Sequence, residues 1–278
     1  MAVISFWGNS EKETGQTTST IATSTLMAID HNYKILTIST GFKDTTMAES
    51  FWEQNRQNNI QKMLGMSNGA GVETGMEGLS RVVTSNRIRS GIISDYAKVV
   101  FKDRLDILLS PKTIDTIEYI EIVKTYPKVI ETAKNDYNLV FVDVDKRMPQ
   151  EIQKEILVQS DVIVVNISQS IKSLDRFIEL KRQNELFRGN NVMLLIGKYD
   201  KFSKYNIKNI SRYLKEKGEI SAISYNTLFF EATTEGKVPD YFLKYRNITD
   251  KTDRNAIFLD EAKKSCDNIL LKIHEIGA

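Results

Sequence analysis

Short runs of Val, Ile and Leu alternate with amphipathic stretches from one end of the chain to the other. The apolar runs predict strands over 3–6, 34–39, 105–109, 139–143, 162–167, 192–196 and 220–224. They show little in-out alternation, as expected of parallel strands covered on both faces. Between them, apolar residues at helical spacing predict helices over 17–29, 114–133, 149–159, 171–187 and 207–216. This β-α-β-α order implies an α/β fold: a doubly wound, mostly parallel sheet of seven or eight strands, joined by right-handed crossovers and flanked by helices. Ligands of such sheets bind at the carboxyl ends of the strands, where the loop after Phe6 lies.

Residues 42–102 exceed what one crossover needs. Helical pieces are predicted at 47–54, 60–64, 78–84 and 92–100, broken by Gly65, Gly69, Gly71 and Gly75. The segment reads as a helical excursion on a single domain spanning 1–278. Residues 253–276 place Ile257, Ala262, Cys266, Ile269, Leu270 and Ile273 at helical spacing, which predicts a closing helix packed on the sheet.

Composition narrows the class. Apolar residues make up 41% and charged residues 27%, in the range of a soluble globular protein. The net charge is +2, so there is no global drive toward nucleic acid or anionic membrane. One cysteine, Cys266, excludes an intrachain disulfide and fits a reducing compartment. Its place on the apolar stripe predicts a buried, inert thiol. The chain begins with a strand rather than a basic segment and apolar core, and no run approaches a membrane span, so a cytoplasmic location is expected. With His31, His274 and Cys266 as the only His and Cys residues, a Cys/His metal site is not expected.

The chemistry concentrates in the stretch AVISFWGNSEKETGQTTSTIA at residues 2–22. A strand enters a polar turn that ends at Gly15, and Thr17, Thr18 and Ser19 open a helix. That is the outline of a phosphate-binding loop, G-x-x-x-x-G-K-[ST], whose backbone N–H groups cradle phosphates, whose lysine reaches the β/γ-phosphates and whose hydroxyl binds Mg²⁺. Here Ser10 stands at the first glycine and Gln16 at the lysine. Gln16 donates hydrogen bonds but neutralises no charge. Thr17 retains the metal-ligating hydroxyl, although Ser and Thr also simply suit a helix start.

The chain resembles the ParA/MinD group of P-loop ATPases with deviant Walker A loops, K-G-G-x-G-K-[ST]-[ST]. Besides the first loop, the likeness rests on GMEGLSRVVTSNRI at 75–88, DYNLVFVDVD at 136–145, SDVIVVNISQS at 160–170, GKYDKFSKYNIKNI at 197–210 and SYNTLFFEATTEGKVPDYFLK at 224–244. Within the group it is most similar to TadZ/CpaE-like and ParA-like proteins. The resemblance implies a P-loop NTPase fold and a homodimer. It implies ATP or ADP with Mg²⁺ as ligands, held by Glu11, Lys12, Glu13, Thr14, Gly15, Gln16, Thr17 and Thr18, with Gly197 and Tyr199 at the base-recognition turn and Thr17 and Asp143 at the metal.

The departures are as informative. Glu11 occupies the position of the group's second lysine, with Lys12 one residue later. The D-x-D after the second strand is replaced by Ser39-Thr40-Gly41, and the next acid is Asp44. Gly197 stands in place of the base-reading Asn. Asp143 at the end of LVFVD survives, followed by Asp145. These losses predict weak or absent hydrolysis, since phosphoryl transfer depends on positioned charge.

The leading reading is a positioning, partition or assembly factor. It would act by dimerisation and protein contacts with a pilus, secretion, conjugation or partition machine, and be recruited through a partner to a pole, the nucleoid or the inner membrane surface. A slow ParA-type ATPase using Lys12 with Asp44 or Asp145 stays open. So does a nonspecific DNA-binding module using Lys198, Lys201, Lys204, Lys208 and Arg212, or Arg81, Arg87 and Arg89. Phe6 and Trp7 read as core, with an interface as the alternative.

Overall fold

The computed structural model describes residues 1–9, 14–53, 74–113, 115–216 and 218–277. Its centre is an eight-stranded sheet in the order β3-β4-β2-β5-β1-β6-β7-β8. The strands are β1 (Ala2–Gly8), β2 (Ile35–Ser39), β3 (Lys98–Phe101), β4 (Leu105–Leu108), β5 (Leu139–Val144), β6 (Val162–Ile167), β7 (Val192–Tyr199) and β8 (Ile220–Ser224). All neighbours pair in parallel except β3 with β4. β1 lies between β5 and β6, with Phe6 level with Asp143 and Gly8 level with Asn166.

Helices cover both faces. On one side pack α1 (Gln16–Asp30), α2 (Thr46–Phe51), α10 (Thr227–Glu235), α11 (Val238–Tyr245) and α12 (Arg254–Ile276). On the other pack α3 (Met76–Thr84), α4 (Ile92–Tyr96), α5 (Thr116–Val123), α6 (Tyr126–Ala133), α7 (Gln150–Val158), α8 (Ile171–Gln183) and α9 (Ile207–Leu214). The central strands feed both layers. In β1, Ile4 and Phe6 face α1, while Val3 and Trp7 face the other side. Burying one such large apolar side chain contributes roughly 1.5–3 kcal/mol. Among the described residues, no helix is long and apolar enough to cross a membrane.

The structure corrects the expected elements at defined places. The helix predicted over 92–100 ends at Tyr96, and Lys98–Phe101 forms an antiparallel edge strand. The β-branched Val99 and Val100, followed by a turn with Asp103 at φ 59°, carry that signal. The helix predicted over 114–133 is two helices. Asp115 caps the first by accepting from Ile117 N and Glu118 N, and Pro127 sits in the first turn of the second, where its ring is tolerated. Helices α10 and α11 were not anticipated, although Asn226 caps α10 and Gly236 ends it at φ 75°. The helix predicted over 60–64, with Gly65, Gly69 and Gly71, lies outside the described residues.

Helix α1 is buried along most of its length despite its Ser and Thr content. The hydroxyls of Thr18, Thr20, Thr23 and Ser24 donate to carbonyls three or four residues earlier, so they enter the core already bonded. This anchors α1 firmly beneath the loop that precedes it.

Candidate functional site

The site lies at the carboxyl ends of β1, β5 and β7, where α1 begins. Gly15 is the N-cap of α1 in the left-handed region, at φ 65°. Among the described residues no side chain caps the first-turn N–H groups, and the first turn contains no acid.

Gln16 does not point toward this opening. Its Nε2 reaches back across the ends of two adjacent strands, donating to Asp143 Oδ1 at 2.7 Å, Val144 O at 2.9 Å and Phe6 O at 3.1 Å. Two hydrogens thus serve three acceptors. Thr17 Oγ1 donates to the other carboxylate oxygen, Asp143 Oδ2, at 2.8 Å. Both oxygens of Asp143 are engaged, and the residue is 7% exposed. Burial pushes its carboxyl up to about 7; the bonds from Thr17 and Gln16 oppose that rise, and Asp44 and Asp145 add to it.

The end of β2 is tied to the same place without carboxylates of its own. Thr40 Oγ1 donates to Asp143 O at 2.9 Å and accepts from Asp145 N at 2.7 Å. Asp145 accepts from Phe42 N at 3.0 Å and is held by Arg147, whose Nη2 approaches Oδ2 to 2.5 Å. Asp44 turns its Oδ1 to Thr46 N at 2.9 Å. A side chain on Gly41 would begin 2.7 Å from Asp44 Cβ and 3.6 Å from Asp145 Oδ2, so the two acids flank that glycine. The sequence names both acids as candidate replacements, and the fold brings them to one glycine although they follow different strands.

Thr17 and Asp143 offer adjoining oxygens, a donor set that fits Mg²⁺. That ion takes few protein ligands and completes its shell with water and phosphate oxygens. Among the described residues, no group of three His, Cys, Asp or Glu residues is placed to hold a metal alone.

Gly197 and Tyr199, expected at a base-recognition turn, both lie in β7. Gly197 lies inside β7, packed against the loop: a side chain there would collide with the Thr14 carbonyl oxygen and begin 3.1 Å from Gly15 Cα. A bulge then follows, with Lys198 at φ 52°, and it turns Tyr199 into the opposite layer, buried among core residues. Tyr199 therefore does not face the loop. Glu11, Lys12 and Glu13, like Ser10, lie outside the described residues.

Other candidates resolve plainly. Phe6 and Trp7 are core, with Trp7 Nε1 donating to Gln153 Oε1 at 2.9 Å. Cys266 is buried, its thiol donating to Thr23 O at 3.4 Å. Arg89 pairs with Asp95 at 2.5 Å, and Lys201 and Lys204 lie over the rings of Phe202 and Tyr205.

No protein-family model matches the chain, and no curated protein matches it. Solved structures do. A ParA family ATPase from Chlorobium tepidum shares 16% identity over 94% of this chain and 97% of its own, with a TM-score of 0.67. The septum site-determining protein MinD of Pyrococcus horikoshii, complexed with Mg-ADP, shares 16% over 98% of each chain, with a TM-score of 0.63. A chain of the MinC:MinD cell division complex of Aquifex aeolicus shares 16% over 96% of each, with a TM-score of 0.61. At this identity the likeness speaks to architecture, and it shows that the chain has the ParA/MinD-type P-loop fold.

Proposed function

We propose that this protein is a ParA/MinD-like positioning, partition or assembly factor that acts through self-association and protein contacts, with ATP hydrolysis weak or absent. The observation that carries this reading is the inward course of Gln16. The side chain at the lysine position is neutral and is spent on Asp143, Phe6 O and Val144 O, so it brings no charge to a phosphate. Loss of one donor or cation aimed at developing charge typically lowers turnover about 10²–10³-fold. Nucleotide remains part of the reading as a structural ligand. The start of α1, uncapped by any side chain among the described residues, would attract phosphate without a lysine, and Thr17 with Asp143 would hold Mg²⁺. Bound Mg²⁺ would neutralise phosphate charge; Thr17 and Asp143 would orient it, and Gln16 would fix Asp143. The Mg-ADP complex of the Pyrococcus horikoshii neighbour supports this choice of ligand.

The test is light scattering with and without Mg-ATP, alongside a phosphate-release assay. The expected result is a rise in dimer fraction with no sustained phosphate release. Rapid release by the wild-type protein, abolished in Asp143→Asn, would overturn it. One observation favours a second reading, a slow ATPase: Asp44 and Asp145 converge beside Gly41 at the end of β2, where the expected acids are missing. Slow Mg²⁺-dependent release lost in Asp44→Asn would support that reading.

A further inference from the structure

A cation stands at the bulge in β7, beside the start of α1. Lys198 follows Gly197, which touches Thr14 and Gly15, and a left-handed conformation at φ 52° re-aims its side chain. Its Cγ lies 3.3 Å from where a side chain on Gly15 would begin. With Thr18 and Ser19 it lines one side of a small cleft beside the first turn of α1, whose other side is formed by residues of β8 and α10, Phe229 and Phe230 among them. Lys198 is exposed and makes no ion pair or hydrogen bond with the described residues.

A second, independent feature points to the same place. Asn166 is fully buried, and among the described residues neither Oδ1 nor Nδ2 has a hydrogen-bond partner. Leaving such an amide unpaired is costly, so it calls for an explanation. On β6, Val162 and Val164 pack in the α1 layer, and alternation puts Asn166 on that face. Its neighbours at the same level are Gly8, which has no side chain, and Leu195. Two residues beyond Leu195, on the same face, Gly197 meets the Thr14–Gly15 backbone. Asn166 therefore lies on the face of the sheet that the turn at the start of α1 covers.

We propose that Lys198 is the cation of this site, standing in for the lysine that Gln16 replaces, and that the ligand is the phosphate chain of a nucleoside di- or triphosphate, with Asn166 supporting the ligand-bound turn from below. This rests on the nucleotide part of the function proposed above. The positive charge reaches the helix start from β7 rather than from the loop itself. It adds to the first-turn N–H groups of α1 without disturbing the Gln16–Asp143 pairing.

The test is isothermal titration with ADP, ATP and inorganic pyrophosphate in Mg²⁺ buffer, with thermal melts as a folding control. Lys198→Met should weaken binding of all three about tenfold or more, the scale of a charge-assisted contact, while Lys198→Arg retains most of it and Lys201→Met leaves it unchanged. Asn166→Leu separates two roles. It removes two unpaired polar atoms from the interior, so a purely structural Asn166 would leave binding unchanged while the melting temperature holds or rises; a site role predicts weaker binding with that same melting behaviour. Wild-type binding that Lys198→Met leaves intact would overturn this proposal alone. Absence of wild-type binding to all three probes would overturn it together with the nucleotide part of the proposed function.

Discussion

Gln16 Nε2 donates to Asp143 Oδ1 at 2.7 Å, joining the first residue of α1 to the end of β5 across 127 residues of chain. The same nitrogen also bonds carbonyls of β1 and β5, so one amide pins the ends of two neighbouring strands. Gln16→Ala would leave a buried carboxyl with Thr17 as its remaining side-chain donor among the described residues and would take one of the bonds from each of two strand-end carbonyls. Buried polar groups left unsatisfied cost about 1–3 kcal/mol each when water cannot replace the donor. The expected loss in urea unfolding is about 1–3 kcal/mol, since the half-buried position admits some water. A stability unchanged within about 0.5 kcal/mol would show that these bonds do not hold the strand ends.

Asp143 makes stability depend on pH. Its carboxyl titrates near 7 in the folded chain against an ordinary value of 3.8, chiefly because burial disfavours the charge. The folded state therefore holds this proton more tightly than the unfolded state. Its contribution to stability is present in full at acid pH and is lost as pH rises through about 7. At about 1.4 kcal/mol per pKa unit, the loss between pH 5 and 8 is roughly 2–3 kcal/mol. Chemical denaturation across that range should show a decline in the wild type that Asp143→Asn flattens. Parallel profiles for the two proteins would place the titration elsewhere.

The fold was legible in the sequence because its strands are continuous Val/Ile/Leu runs. The bounds of β6 and β8 match the prediction to the residue, since both are buried parallel strands with sharp polar ends. Elements governed by local punctuation were harder. The helical spacing of residues 92–100 hid the edge strand, whose first two residues are exposed and so lack a core pattern. The site was legible as a list of residues but not as an arrangement. Nothing in the order of residues says that Gln16 folds inward, that a bulge separates Gly197 from Tyr199, or that Asn166 is left without a partner among the described residues. These depend on strands far apart in the chain becoming neighbours in the sheet.

Cys266 should be chemically silent in the folded protein. It is 2% exposed, its thiol donates to Thr23 O, and burial raises its pKa well above the ordinary range, with Asp267 and Asp30 adding to that. Only the thiolate attacks electrophiles, so both access and ionisation are suppressed. A disulfide reagent at pH 8 should find no reactive thiol in the native chain and one per chain in urea. Rapid native labelling would mean that α12 detaches from α1 on the timescale of the reaction.

Gly197 sets how closely the first loop approaches β7. Its neighbours are backbone atoms, the Thr14 carbonyl and Gly15 Cα, which cannot swing aside as a flexible side chain would. Gly197→Ala must push the Thr14–Gly15 turn off the strand or shift β7 itself. Overpacking of this kind costs about 1–3 kcal/mol. It should also weaken pyrophosphate binding, because the turn that opens α1 would move. Gly197→Asn, which introduces the side chain expected at a base-recognition turn, should be worse for the same steric reason. Gly218 has open space around it, so Gly218→Ala is the matched control and should stay within about 0.5 kcal/mol of wild type. Urea unfolding of the three variants measures the difference. Equal stability of Gly197→Ala and Gly218→Ala would mean that the loop yields freely and does not rest on β7 in solution.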